Sequence, residues 1–301
     1  MNESDALPAE ARVLEAEARR HRTPCGAGDM AWREWGAGPA VVLLHGGYGS
    51  WTHWLRTIPA LRRRHRVLAA DLPGLGDSAD APEPVTPESL AAIVAQGIER
   101  LLPAPEPVAI VGFSFGAMLG GQAALRLGGR AQGLATIGAP GLGLKRKPYE
   151  PLGRITAELN AAERRAAARR NLELLMFADP CNIDEAAIAT QLANTARART
   201  KSRPLSRTDA LKRALAELDC AVMAIWGERD VTAAPHLDLR LALIRELQPA
   251  AELHVLPGIG HFTQYEAADR VNALLADWLA RVFELPREAI RTSPPRGGPR
   301  H

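Results

Sequence analysis

The sequence predicts an α/β fold, a mostly parallel twisted sheet flanked by helices on both faces and interrupted by an inserted helical segment. Three observations carry this. Short apolar runs at 41–44, 67–70, 108–111, 133–137, 221–226 and 252–256 recur along the chain, with helix-forming stretches between most of them. Most of these runs stop in a turn rich in glycine, proline or aspartate. Between positions 138 and 219 the strand-like runs vanish and helix formers dominate.

Residues 1–23 read as an N-terminal extension. The stretch 9–22 is rich in alanine, glutamate and arginine, yet only Val13 and Leu14 offer large apolar anchors, so a loosely docked helix is expected. From Met30 the chain alternates as a half-buried strand does, and a turn at 36–39 leads into 41–44, which suggests an edge hairpin feeding a buried strand. The turn His45-Gly46-Gly47-Tyr48-Gly49-Ser50 follows directly. Its backbone N–H groups would face the crevice at the strand ends, where they can stabilise a developing oxyanion. Neither a Gly-Lys-Ser/Thr ending nor a G-x-G-x-x-G is present, so a phosphate loop is set aside, and His45 reads as a structural residue. A helix over 51–64, a strand over 67–70, the turn Asp71-Leu72-Pro73-Gly74-Leu75-Gly76-Asp77-Ser78 and a helix over 87–102 opened near Thr86 come next.

The stretch 108–121 organises the rest. An apolar run enters Gly112-Phe113-Ser114-Phe115-Gly116, and a small-residue helix pattern leaves it. Strand, sharp turn and helix form a nucleophile elbow with Ser114 at its apex, and glycines two before and two after leave room for a strained serine. The inserted segment reads as four helices, at 155–170, 171–177, 184–198 and 208–218, covering the site. It is basic: 15 Lys and Arg against 8 Asp and Glu over 145–213, a net +7 where the whole chain is +3. Solvated helix faces explain that charge most simply; a field that draws in an anionic substrate is the sharper reading. Leu172, Leu174, Leu175, Met176 and Phe177 read as packing residues that can also line a pocket.

Attack by a serine needs a base, and the base needs an anion to fix its tautomer. His261 lies in a glycine-flanked loop after the run at 252–256, and Asp230 lies in the loop after 221–226. Glu228 is a possible stand-in that reads better as a turn residue, and the run at 133–137 ends without a carboxylate. The order Ser114, Asp230, His261 is the one expected of a hydrolase elbow. The implied layout is an extension at 1–23, a core at 24–140 and 219–286, a cap at 141–218, and a tail at 287–301 too poor in apolar residues to fold.

Composition narrows the function classes. A charge of +3 over 301 residues makes no case for nucleic acid. Cys25, Cys181 and Cys220 are too few and too scattered for a disulfide framework or a zinc site. No apolar run reaches the length of a membrane span and the N-terminus has no signal pattern, so a cytoplasmic protein is expected, without metal or organic cofactor. The expected partner is a small-molecule substrate, anionic if the basic cap acts as a field; oligomeric state, a homodimer included, stays open.

Taken together, H-G-G-Y-G-S, D-L-P-G-L-G-D-S, G-F-S-F-G, W-G-E-R-D and G-H-F-T-Q-Y-E resemble the α/β-hydrolase superfamily with a helical cap, over about 31–283. The resemblance implies that Ser114 is the nucleophile, His261 the base and Asp230 its partner, and that the N–H groups of Gly47 and Phe115 form the oxyanion hole. Within the superfamily the chain is similar to meta-cleavage-product hydrolases, which split carbon–carbon bonds of dienoate diketones. It departs from them where Phe113 replaces an asparagine before the nucleophile and where Phe262 and Tyr265 replace tryptophans. Gln191 falls near the place of their cap arginine, with Arg197 and Arg199 close by. Substrate-pocket candidates are Tyr48, Phe113, Phe177 and Phe262. The expected function is a serine hydrolase of small to medium carboxylic esters. A carbon–carbon hydrolase with the same residues, and a hydrolase-fold binding protein with little turnover, are the alternatives.

Overall fold

Apolar alternation along the central strands decides the architecture. A computed structural model of the chain describes residues 7–145, 150–156 and 158–284. In β3 (Ala40–Leu44), Val42 and Leu44 join one apolar cluster while Val41 and Leu43 join another; in β5 (Val108–Phe113), Ile110 and Val111 divide the same way. Period-two burial on both faces requires cover on both. One face receives α3 (Pro87–Leu101), α4 (Phe115–Leu127), α8 (Ala210–Glu217) and α9 (Leu237–Leu247); the other receives α1 (Ala9–Glu17), α2 (Ile58–Leu61), the short α10 (Thr263–Glu266) and α11 (Ala268–Glu284).

The remaining strands are β1 (Arg19–Cys25), β2 (Gly28–Trp35), β4 (Arg66–Ala70), β6 (Ala131–Ile137), β7 (Ala221–Gly227) and β8 (Glu252–Leu256). Among the described residues they form one eight-stranded sheet in the order β1-β2-β4-β3-β5-β6-β7-β8. The pairs β1–β2 and β2–β4 are antiparallel and all others parallel. The parallel strands therefore end on one edge, which gathers the loops after β3, β4, β5, β7 and β8 into a single crevice.

Two expectations at the N-terminus are corrected. The stretch expected as a loose extension is divided into α1 and β1. Leu14 is buried, the Leu14 carbonyl accepts the Trp35 indole N–H at 2.8 Å, and β1 pairs with β2 from Arg19↔Glu34 to Cys25↔Gly28. The strand starting near Met30 is indeed in a hairpin, but its partners are β1 and β4, not β3. The helix expected over 51–64 is broken into a 3-10 turn at Trp51–Trp54 and the short α2. By contrast α3 opens as its sequence predicts, with reciprocal hydrogen bonds between Thr86 and Ser89.

Over the crevice lie α5 (Ala161–Leu175), α6 (Glu185–Ala196) and α7 (Ser202–Leu205). α5 begins at a capping box between Asn160 and Glu163, which moves its start beyond the expected 155 and merges the two expected helices at 155–177. α8, read from the sequence as the last cap helix, lies against the core: Gln122 of α4 donates to the Ala210 carbonyl at 2.6 Å, and Gln248 donates to the carbonyls of Leu215 and Leu218. The expected tail at 287–301 falls outside the described residues.

Candidate active site

Ser114 sits at φ +48°, the left-handed region that non-glycine residues rarely adopt. Close packing forces the turn. A Cβ on Gly112 would fall 2.4 Å from the Ala117 α-carbon, and one on Gly116 would fall 2.2 Å from the Leu44 carbonyl oxygen. Only glycine admits a strand, a helix and a neighbouring loop at these distances.

The loops after β7 and β8 bring two side chains to this apex. His261 Nε2 lies 3.0 Å from Ser114 Oγ, and His261 Nδ1 lies 2.8 Å from Asp230 Oδ2. Asp230 Oδ1 accepts the Thr232 N–H at 2.8 Å, and Thr232 Oγ1 is 3.3 Å from His261 Nδ1. Burial by itself would raise the Asp230 carboxyl, but the charge of His261 and hydrogen bonds from His261 and Thr232 outweigh it and hold the group below its ordinary range. Asp230 is therefore an anion near neutrality, able to fix the proton of His261 on Nδ1 and leave Nε2 as an acceptor for the serine proton. Glu228 takes no part in this: its carboxylate accepts the Gly258 N–H at 2.9 Å and ties the two loops together.

Gly47 and Phe115 lie close together beside Ser114. The position of a Cβ on Gly47 is 3.8 Å from the Phe115 Cβ, and that of a Cβ on Gly46 is 3.4 Å from the Ser114 Cβ. No hydrogen bond among the described residues uses the Gly47 or Phe115 N–H. Phe115 is the first residue of α4, so its amide carries the positive end of the helix dipole. His45 orients backbone, as its place in the turn suggests: Nε2 accepts the Leu72 N–H at 2.9 Å.

A cavity of about 570 Å³ opens onto Ser114 and His261. Tyr48 and Phe113 line it. Phe177 and Phe262 do not, and that expectation is corrected. They belong to an aromatic cluster with Phe113: Phe113–Phe262 and Phe262–Tyr265 are stacked at 5.4 and 4.9 Å between ring centroids, and Phe177 is edge-on to Phe262 at 5.9 Å. Gln191 does line the cavity, whereas Arg197 is paired with Asp77 and Arg199 with Asp80. The arginines that face the cavity are Arg154 and Arg203, neither singled out by the sequence. Among the described residues neither has an acidic partner, and no aspartate or glutamate lines the cavity. The Arg203 guanidinium lies 5.6 Å from the Tyr48 ring centroid.

The cap is seated at two places. Glu266 accepts N–H groups from Gly260, Ala178 and Asp179, and the Phe262 N–H donates to the Met176 carbonyl, so the His261 loop and the cap share one set of bonds. At the other side, the Arg197–Asp77 and Arg199–Asp80 ion pairs join the segment before α7 to the loop after β4.

Comparison with known proteins agrees with this architecture. Residues 41–274 match the alpha/beta hydrolase family. The chain belongs to that family. This hydrolase is 31% identical over 263 residues to the 2-hydroxy-6-oxo-6-phenylhexa-2,4-dienoate hydrolase of Burkholderia cepacia, covering 81% of this chain and 89% of that one. The hydrolase also aligns with the meta-cleavage product hydrolase CumD of Pseudomonas fluorescens IP01 at 25% identity and a TM-score of 0.66, covering 88% and 99% of the two chains. It shares its fold with carboxylesterase CesB of Bacillus subtilis, at a TM-score of 0.72, 18% identity and 90% and 94% coverage. It is an α/β-hydrolase enzyme. Among its described residues no helix is long and apolar enough to cross a membrane, and Cys25, Cys181 and Cys220 are free thiols.

Proposed function

We propose that this hydrolase cleaves small to medium carboxylic esters through an acyl-enzyme on Ser114. The observation that carries the reading is the unbroken chain Ser114 Oγ, His261, Asp230, at 3.0 and 2.8 Å. Ser114 Oγ attacks the acyl carbon as its proton passes to His261 Nε2, and the carbonyl oxygen becomes an oxyanion held by the N–H groups of Gly47 and Phe115. When the ester C–O bond breaks, the alkoxide leaves with the proton from His261. Water, deprotonated by the same nitrogen, then attacks the acyl-enzyme and releases the acid and Ser114. Asp230 stays ionised throughout and stabilises the imidazolium. Arg154 and Arg203, in a cavity without acidic residues, favour a substrate that carries a negative charge away from the scissile bond.

Intact-mass labelling with a fluorophosphonate tests the reading. One adduct on the wild type and none on Ser114→Ala is the expected result, together with turnover of short p-nitrophenyl esters that the variant loses. A well-folded wild type that takes no label would overturn it.

The likeness to dienoate hydrolases supports a second reading, cleavage of a carbon–carbon bond in a vinylogous diketone. The same His261 would deliver a proton to carbon. Against it stands Phe113, an apolar residue immediately before Ser114. A dienoate diketone whose visible absorbance decays far faster than any ester is cleaved would decide for it.

A further inference from the structure

The segment that seats the cap carries a hydroxyl the proposed mechanism does not use. Ser202 is 3% exposed and lines the cavity, and its Oγ has no hydrogen-bond partner among the described residues. A hydroxyl that faces the cavity without a protein partner is free to donate to a group that arrives with the substrate. Its location identifies that partner. A Cβ built on Gly47 would lie 2.1 Å from Ser202 Oγ and 3.8 Å from the Phe115 Cβ. The hydroxyl thus lies against Gly47, in the cavity that Ser114 and Phe115 also line.

The position is well determined. Arg199 and Thr200 both donate backbone N–H groups to the Gly74 carbonyl, at 2.9 and 3.0 Å, and Thr200 Oγ1 donates to the Pro73 carbonyl at 2.9 Å. The Ser202 N–H then donates to the Thr200 carbonyl at 3.1 Å, and its own carbonyl accepts from the N–H and the hydroxyl of Ser206, each at 2.9 Å. The main chain on both sides of Ser202 is held, and the side chain is left free to donate.

We propose that Ser202 is a catalytic residue, its hydroxyl donating a third hydrogen bond to the oxyanion that forms on attack by Ser114. The inference rests on the acyl-enzyme reading above. It adds that the cap completes the oxyanion hole, so that the site is fully assembled only while the segment 197–206 rests on the loop 73–80. A donor that meets developing charge in a water-poor site acts on the transition state far more than on the bound substrate.

The test compares wild type, Ser202→Ala and Lys201→Ala, the last an exposed neighbour outside the cavity. The rate of Ser114 labelling by a fluorophosphonate, and kcat and KM for a p-nitrophenyl ester, are measured alongside the thermal unfolding midpoint. Ser202→Ala is expected to slow labelling and lower kcat by about 10²-fold with KM and midpoint little changed, while Lys201→Ala matches the wild type. Labelling of Ser202→Ala at the wild-type rate would overturn the assignment and leave the Ser114 reading intact. A wild type that takes no label would overturn both. Should Ser202→Ala lower the midpoint, Ser202→Cys keeps the side chain and weakens the donor. Slow labelling of that variant at an unchanged midpoint supports the assignment, and labelling at the wild-type rate defeats it.

Discussion

His53 Nδ1 accepts the Gly46 N–H at 3.2 Å, immediately before the amide of Gly47. The ring is wedged edge-on against Phe113 at 5.5 Å and Phe262 at 5.1 Å, and a Cβ on Gly49 would lie 2.2 Å from it. One buried imidazole therefore sets the shape of the turn that presents the proposed oxyanion donor.

Replacing that acceptor should loosen the turn. His53→Phe is expected to lower kcat by about tenfold with a smaller effect on KM, and His53→Gln, which restores an acceptor, to recover part of the loss. Steady-state kinetics on a p-nitrophenyl ester checks both.

The same burial gives a pH dependence of stability. Burial is the largest cause holding His45, His53 and His65 below their ordinary value of 6.5, and for His53 the charges of His45 and His261 add to it. Below pH 6.5 the unfolded chain binds protons that these folded imidazoles refuse, so stability is full above that pH and falls as pH drops toward the folded values. Asp230, Glu34 and Asp77 shift in the same sense, but their window begins only below about 4.5. The unfolding midpoint should therefore fall between pH 7 and 5, and fall less in His53→Gln.

Asp230→Asn should leave the fold in place and lower kcat by about 10⁴-fold, because the amide stabilises the wrong tautomer of His261. Kinetics and a circular dichroism spectrum together separate this from unfolding.

Arg203→Ala should raise KM for esters bearing a carboxylate several-fold while leaving neutral esters of the same size unaffected. Equal effects on both would remove the charge argument for the cavity.

Arg33 is 5% exposed and pairs with Glu15, with Asp71 at 2.9 Å and with Asp77, which in turn holds Arg197 of the cap segment. Arg33→Met would strand a buried Asp71 carboxylate and should cost about 3–5 kcal/mol in urea unfolding.

Much of this was legible because the chemistry of a turn is local. Gly112, Ser114 and Gly116 declare their strain in five residues, and Asp230 and His261 follow apolar runs whose ends must share an edge in a parallel sheet. What escaped the sequence depends on contacts distant along the chain. β1 reads Arg-Arg-His-Arg-Thr-Pro-Cys and looks like no strand, because Arg19 and His21 face Glu34, Arg20 faces Glu15, and only Thr23 and Cys25 are buried. Burial alone would raise the Glu34 carboxyl; Arg66 and Arg19 reverse that and keep it below its ordinary value. Phe177 and Phe262 are apolar and near the site in sequence, but which face of a wall an aromatic ring occupies is a matter of packing. Arg203 and Ser202 carry no motif; only the seating of residues 197–206 on the loop after β4 turns them inward.

The pairing of β1 along the whole of β2 also bears on solubility. β2 is already bonded to β4 on its other side. Deleting the first 25 residues, most of which read from the sequence as a loosely docked extension, would bare the β2 edge and the apolar surface under Leu14. An unpaired strand edge of this kind recruits the same edge of another molecule. The shortened chain should self-associate, even though every residue of the proposed catalytic constellation would still be present.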